Sequence, residues 1–165
     1  NKVSMMLHTI GDFERIGDHA LNLVATSKEI SEKSVEFSPE AKKQMDIAVS
    51  ALKEILDLTF TAFENKDIEM AKNVEPLEQV IDGLIAATKS NHITRLQSGF
   101  CTIELGFVLS DLLNNYSRVS DHCSNIAACM IEIAHNSFEM HEYINALNEN
   151  HSDIYNTKFA EYKKK

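Results

Sequence analysis

The chain has 165 residues, 44% of them hydrophobic and 25% charged, the composition of a globular domain large enough to bury a substantial core. Its formal net charge of −9 argues against a nucleic-acid surface, which needs a basic patch, and is compatible with cation binding. Five Gly and two Pro favour long uninterrupted helices, and three Cys (Cys101, Cys123, Cys129) without C-x-x-C spacing suggest neither a disulfide framework nor a thiolate zinc site and fit a reducing cytoplasm. No run of about 18 apolar residues is present, so no membrane span is expected. No signal peptide is visible, and Asn1 opens directly into helical pattern, as in a piece cut from a longer polypeptide.

Helix one is expected from near the start to about residue 33. At about 100° per residue, Ile10, Phe13, Ile16, Ala20, Leu23 and Val24 fill a broad apolar arc, with Arg15 and His19 on the polar side. Ser38-Pro39-Glu40 is a helix start: Ser as N-cap, Pro at the first position, an acid near the positive end. Helix two carries Met45, Val49, Leu52, Ile55, Leu56, Phe60 and Phe63 at helical spacing and ends near Asn65-Lys66. Helix three is expected from Asp67 to about residue 96, with Pro76 marking a kink or a break. Gln97-Ser98-Gly99 makes the next turn. Helix four runs from about residue 101 to 135 and closes at Asn136-Ser137, leaving a tail, 138–165, of one or two short helices. Short connections between long helices imply an all-α, antiparallel up-and-down bundle.

One segment is written twice. Gly11 to Leu23 and Asn114 to Ile126 share a pattern in which Arg15, Asp18, His19 and Asn22 recur as Arg118, Asp121, His122 and Asn125, and Phe13 and Ile16 recur as Tyr116 and Val119. A long internal repeat implies two equivalent structural units. Packing alone repeats only apolar residues, so the repeated polar ones need a reason of their own. Glu14, Asp18 and Asn22 climb one helix face at i, i+4, i+8. Two carboxylates one turn apart at the border of a packed face suit a cation; the plainer reading is a solvated face with a local Arg–Asp pair. For His19 and His122 the plainer role is helix-surface or capping, the sharper one ligation. His92 and Arg95 near the end of helix three complement the helix dipole, or form an anion site. Cys101 and Cys123 read as packed small hydrophobes, Met5, Met6, Met45 and Met130 as core filler, and Glu75 and Glu78 by default as a solvated face.

The segment Glu14-Arg15-Ile16-Gly17-Asp18-His19-Ala20, followed by Asn22, resembles the signature of PhoU domains. Glu75 to Asp82, His92 to Leu96, Gly99-Phe100-Cys101 and Asp111 to Asn125 follow in an order similar to the PhoU-like C-terminal cytoplasmic region of bacterial sodium/phosphate cotransporters. The resemblance implies a bundle of two three-helix repeats. Helix one would be the last helix of an incomplete first repeat, residues 38–135 the second repeat and 138–165 a tail, all in one PhoU-like domain. It also implies metal binding through E(D)-x-x-x-D motifs, whose matching residues are Glu14 and Asp18, Glu78 and Asp82, and Asp121, with iron, manganese, magnesium or another divalent cation as ligand. Ser117 stands where the family has Glu, which weakens the second-repeat site. The implied partner is a transmembrane sodium/phosphate transport domain of the same polypeptide at the cytoplasmic face of the membrane.

Three functions compete. The first is a regulatory domain of a sodium-dependent phosphate transporter. The second is a di-iron carboxylate enzyme, which wants Glu-x-x-His pairs that neither copy supplies. The third is a metal-free interaction or phosphorelay module with His19 or His122 as phosphoacceptor. No activated nucleophile order, phosphate-binding Gly loop or zinc spacing is present, so no catalysis is expected. An apolar strip left bare on helix one is expected to promote self-association.

Overall fold

The computed structural model describes the backbone of residues 2–163 and the side chains of residues 2–136. Among the described residues every regular element is helical: α1 (Lys2–Glu32), α2 (Pro39–Asn65), α3 (Ile68–Ala71), α4 (Val74–Gln97) and α5 (Ile103–Lys163). None is long and apolar enough to cross a membrane. The chain divides into two compact units, residues 1–131 and 132–165. The first is an antiparallel bundle, as the residue pairs across its seams show. Phe13 of α1 stacks on Phe60 and meets Phe63 edge-on in α2. Arg95, late in α4, bonds Gln44, early in α2. Thr9 of α1 reaches Cys129 of α5, while His19 reaches Asn115.

The element boundaries follow from local chemistry. Ser38 Oγ accepts from the Ala41 N–H (3.2 Å), and Pro39 occupies the first turn, where its missing N–H costs nothing. α2 closes on Lys66 in the left-handed region (φ 55°). Asp67 then caps α3 through Met70 N (2.9 Å). Helix three was expected to be continuous or broken at Pro76. The break lies earlier, at Lys72–Asn73, and Pro76 is the third residue of α4. A proline is tolerated there because the first N–H groups of a helix have no intrahelical acceptor. Gly99 (φ 75°) ends α4, with the Phe100 N–H returning to the Arg95 carbonyl (2.9 Å). The expected stop at Asn136-Ser137 is absent, and α5 runs on to Lys163. Asn and Ser are indifferent helix formers but neither forbids helix, and no Gly or Pro stands there.

The core belongs mainly to α2, α4 and α5. Ile55, Ile81, Leu109, Leu113 and Ile126 are fully buried. Buried hydroxyls are satisfied inside their own helices, Thr59 on the Ile55 carbonyl (2.7 Å) and Ser120 on that of Ser117 (2.9 Å). Cys123 is packed as expected, and burial, despite its hydrogen bond with Thr59, pushes its thiol up to about 11. α1 contributes few fully buried residues, Thr9 and Ile16. Ile10 and Val24, expected on its packed arc, are exposed, as are Met6 and, less so, Phe60 and Phe63 of α2, because no described helix covers that side of the unit.

One close approach fixes the α4–α5 corner. A Cβ added to Gly106 would lie 2.7 Å from Nε2 of buried His92. Gly83 faces open space. Ala normally improves a helix interior over Gly by about 1 kcal/mol, so Gly83→Ala is expected to stabilise by that amount. Gly106→Ala should instead destabilise by about 1–3 kcal/mol through overpacking. Urea unfolding of the two variants checks the opposite signs.

Candidate functional site

Three carboxylates meet on the α4–α5 seam. Glu78 and Asp82 stand one turn apart on α4, and Asp121 faces them from α5; one oxygen from each lies within 4.8 Å of the others. Glu78 and Asp121 are half-buried and Asp82 is exposed. The antiparallel crossing places these side chains. Along it Lys89 donates to Asn114 (2.9 Å), Ser117 Oγ to Asp82 Oδ1 (3.4 Å), and Ser124 Oγ to Glu75 Oε2. Glu75, Asp82 and Lys89 are seven residues apart, so one stripe of α4 supplies all three rungs.

The electrostatics are those of a crowded anionic site. Desolvation by burial raises the Glu78 carboxyl above its ordinary 4.5, and Asp82, Glu75 and Asp121 push the same way. Such a group is relieved by a proton or a cation, and an all-oxygen donor set suits hard cations and iron rather than thiolate-seeking metals. Arg118 lies 3.4 Å from Asp121, but that pair is largely exposed and worth little. Ser117, where the sequence led us to expect weakened ligation, presents its hydroxyl at the site's edge. The sequence-expected set thus divides. Glu78, Asp82 and Asp121 come together. Glu14, Asp18 and Arg15 lie exposed on α1, and no group of three ligating side chains includes them among the described residues.

Of the repeated polar residues, His19, Asn22, His122 and Asn125 find their reason on the α1–α5 seam. The Asn115 amide donates to the Asp111 carbonyl (2.8 Å), so its oxygen faces His19, whose Nδ1 donates to it (2.8 Å). In the other copy Nδ1 of His122 donates to Asp12 Oδ1 (2.8 Å). Asn22 and Asn125 each add a longer contact to the same acceptors, 3.5 Å to Asn115 and 3.4 Å to Asp12. The two imidazoles stack at 5.7 Å. Asp12 corresponds to Asn115 and His19 to His122, so the two pairs are exchanged by the internal symmetry. Asp12 and Asn115 were not singled out in the sequence. Their signal was there: each precedes its histidine by seven residues in the repeat.

His92 and Arg95 line one recess with Ser38, Phe100 and Cys101, and one nitrogen of each, Nε2 and Nη2, is buried without a hydrogen-bond partner. His92 is buried, its pKa lowered by desolvation and then by Arg95, and Nδ1 lies 3.5 Å from the Cys101 sulfur. Arg95 bonds Gln44 (3.3 Å), and Glu36 lines the same recess. Cys101, expected on an apolar arc, sits half-buried in the turn before α5 beside this imidazole.

The raised Glu78 pKa sets a sign. An acid whose folded pKa exceeds its unfolded one contributes stability that is full below about the unfolded value and is lost as pH rises through the folded value. Glu78→Gln removes that loss. In metal-free protein its Tm is expected to exceed wild type at pH 7 and to match it at about pH 4. Equal melting at pH 7 would remove the cluster's electrostatic strain from the account.

The model of the PhoU domain family matches residues 42–130, which include all three clustered carboxylates. A protein of Thermotoga maritima named phosphate-specific transport system accessory protein PhoU homolog 1 is 30% identical over 122 residues, 74% of this chain and 52% of that relative. A similarly named PhoU homolog of Deinococcus radiodurans is 23% identical over 127 residues, 76% of this chain and 57% of the relative. The chain thus spans about half the length of the curated relatives it matches. No solved structure matches.

Proposed function

The chain belongs to the PhoU domain family, and we propose that it is a regulatory module of phosphate transport rather than a catalyst. The observation that carries this reading is the similarity to two proteins named as accessory to phosphate-specific transport. Within it we place the chain at the cytoplasmic face of the membrane, as the regulatory part of a sodium-dependent phosphate transporter whose transport domain belongs to the same polypeptide. The order of the Glu75–Asp82, His92–Leu96 and Asp111–Asn125 motifs supports that finer assignment. Expression in a bacterium lacking its own PhoU protein tests the broader reading. Restored control of phosphate uptake and of a phosphate-starvation reporter is expected, and no change in either would overturn it.

Glu78, Asp82 and Asp121 are the residues fit to hold iron, manganese, magnesium or a similar cation, given the burial and the crowding that raise the Glu78 carboxyl. A bound cation would neutralise their mutual repulsion and tie α4 to α5. The Ser117 hydroxyl supplies less charge than the family Glu, so weak occupancy is expected. Ser117→Glu should add a fourth carboxylate beside Asp82 and tighten manganese or iron binding by about tenfold or more, roughly 1.4 kcal/mol, in calorimetric titration. Negligible uptake by both proteins would favour the second reading, a metal-free interaction module. The exposure of Asp82, whose charge water already solvates, speaks for that alternative.

A further inference from the structure

We propose that the recess between the start of α2 and the end of α4 is a binding site for a phosphoryl group, as inorganic phosphate or as a phosphate monoester. The recess measures about 330 Å³, and its wall includes Glu36, Ser38, His92, Arg95 and Phe100. It lies about 20 Å of helix beyond Asp82, apart from the carboxylate cluster. Its polar groups are short of partners. Arg95 is half-buried, makes one side-chain bond, Nη1 to Gln44 at 3.3 Å, and joins no ion pair among the described residues. Its Nη2 is buried without a hydrogen-bond partner, and so is Nε2 of His92, a residue only 9% exposed. A guanidinium does not shed its proton, so burial leaves it charged and in want of an anion. With 25 acidic side chains against 16 Lys and Arg, the missing partner is not for lack of carboxylates. A neighbouring recess of about 580 Å³ shares Ser38, Arg95 and Phe100, so the guanidinium borders open space on two sides and has room to turn Nη2 toward a ligand.

The donors select the class of anion. Ser38 Oγ accepts from the Ala41 N–H at 3.2 Å, which leaves its own O–H to donate. The first turn of the 27-residue α2 adds the positive end of its dipole. A fork from α4 and a hydroxyl and dipole from α2 approach from different directions, as the oxygens of a tetrahedral anion require; a planar carboxylate would satisfy the fork alone. Glu36 then chooses among tetrahedral anions. Its carboxylate only accepts, so it favours a ligand that keeps a proton on oxygen. A phosphoryl group does so for part of its population at neutral pH, and sulfate does not. Glu36 and Glu40 are exposed, so water screens their repulsion, whereas Arg95 acts from a half-buried position. Phe100, 83% exposed, offers an apolar face to the organic part of an ester. The inference does not depend on the phosphate-transport reading.

Calorimetric titration of the full chain with inorganic phosphate, phenyl phosphate and sulfate, with chelator present and ionic strength matched, tests it. Both phosphates are expected to bind, and sulfate at least about tenfold more weakly. Tighter binding of phenyl phosphate than of inorganic phosphate would identify an ester as the ligand, and the reverse order free phosphate; either upholds the site. Arg95→Gln should weaken phosphate binding about tenfold or more with unchanged helical dichroism. Glu36→Gln should raise the sulfate affinity about tenfold and bring it level with phosphate, a gain that misfolding cannot imitate. No saturable binding of either phosphate overturns the proposal. So does phosphate binding indifferent to Arg95→Gln, or a preference over sulfate that survives Glu36→Gln. None of these results decides whether the chain restores control of phosphate uptake, so the two readings fail separately.

Discussion

The antiparallel packing of α4 on α5 is the constraint on which the candidate site depends. That seam buries Ile81, Ile85, Leu109 and Leu113 and aligns the stripe Glu75, Asp82, Lys89 with polar partners on α5. Apolar burial supplies the drive, at roughly 25 cal/mol per Å² removed from water. The carboxylates ride on it: Glu78, Asp82 and Asp121 are held close because the residues beneath them are packed, despite their repulsion. The Gly106–His92 approach sets the corner from which this register begins, so the register across the three α4–α5 rungs is bounded at one end by a backbone that admits no Cβ.

The second seam, α1 on α5, is made differently. Its centre is polar. His19 with Asn115 and His122 with Asp12 satisfy each other within a half-buried interface, and Thr9 with Cys129 continues the contact toward the start of α1. Directional bonds at a few points fix the relative slide of two helices more sharply than apolar packing, which tolerates shifts. A slip of one turn would break both histidine pairs together, because the internal symmetry couples them.

Much of this was legible in the chain. The caps at Ser38 and Asp67, the left-handed Gly99 and the short turns define local geometry, and local geometry is what residue types encode most directly. Glu78, Asp82 and Asp121 were singled out by the resemblance to PhoU domains; their spacing alone gives Glu78 a solvated face, and the packing of α5 on α4 is what brings Asp121 to the other two. What escaped was tertiary. Pro76 drew attention from Lys72–Asn73, where the chain in fact breaks, because a proline in a first turn and one in mid-helix look alike in sequence. Asn136-Ser137 resembled a stop that no steric rule enforces. The histidines were read one helix at a time, and their partners stand 96 and 110 residues away.

The Asp12–Asn115 difference has a consequence of its own. Two copies of one repeated pattern fold back on each other, and identical copies would make the crossing point indifferent to exchange. A single pair of unlike residues removes that indifference: one imidazole faces a carboxylate, the other a neutral amide. The crossing therefore has a polarity. Its two histidines, alike in sequence and stacked together, are chemically distinguishable, and a duplicated scaffold has acquired a left and a right.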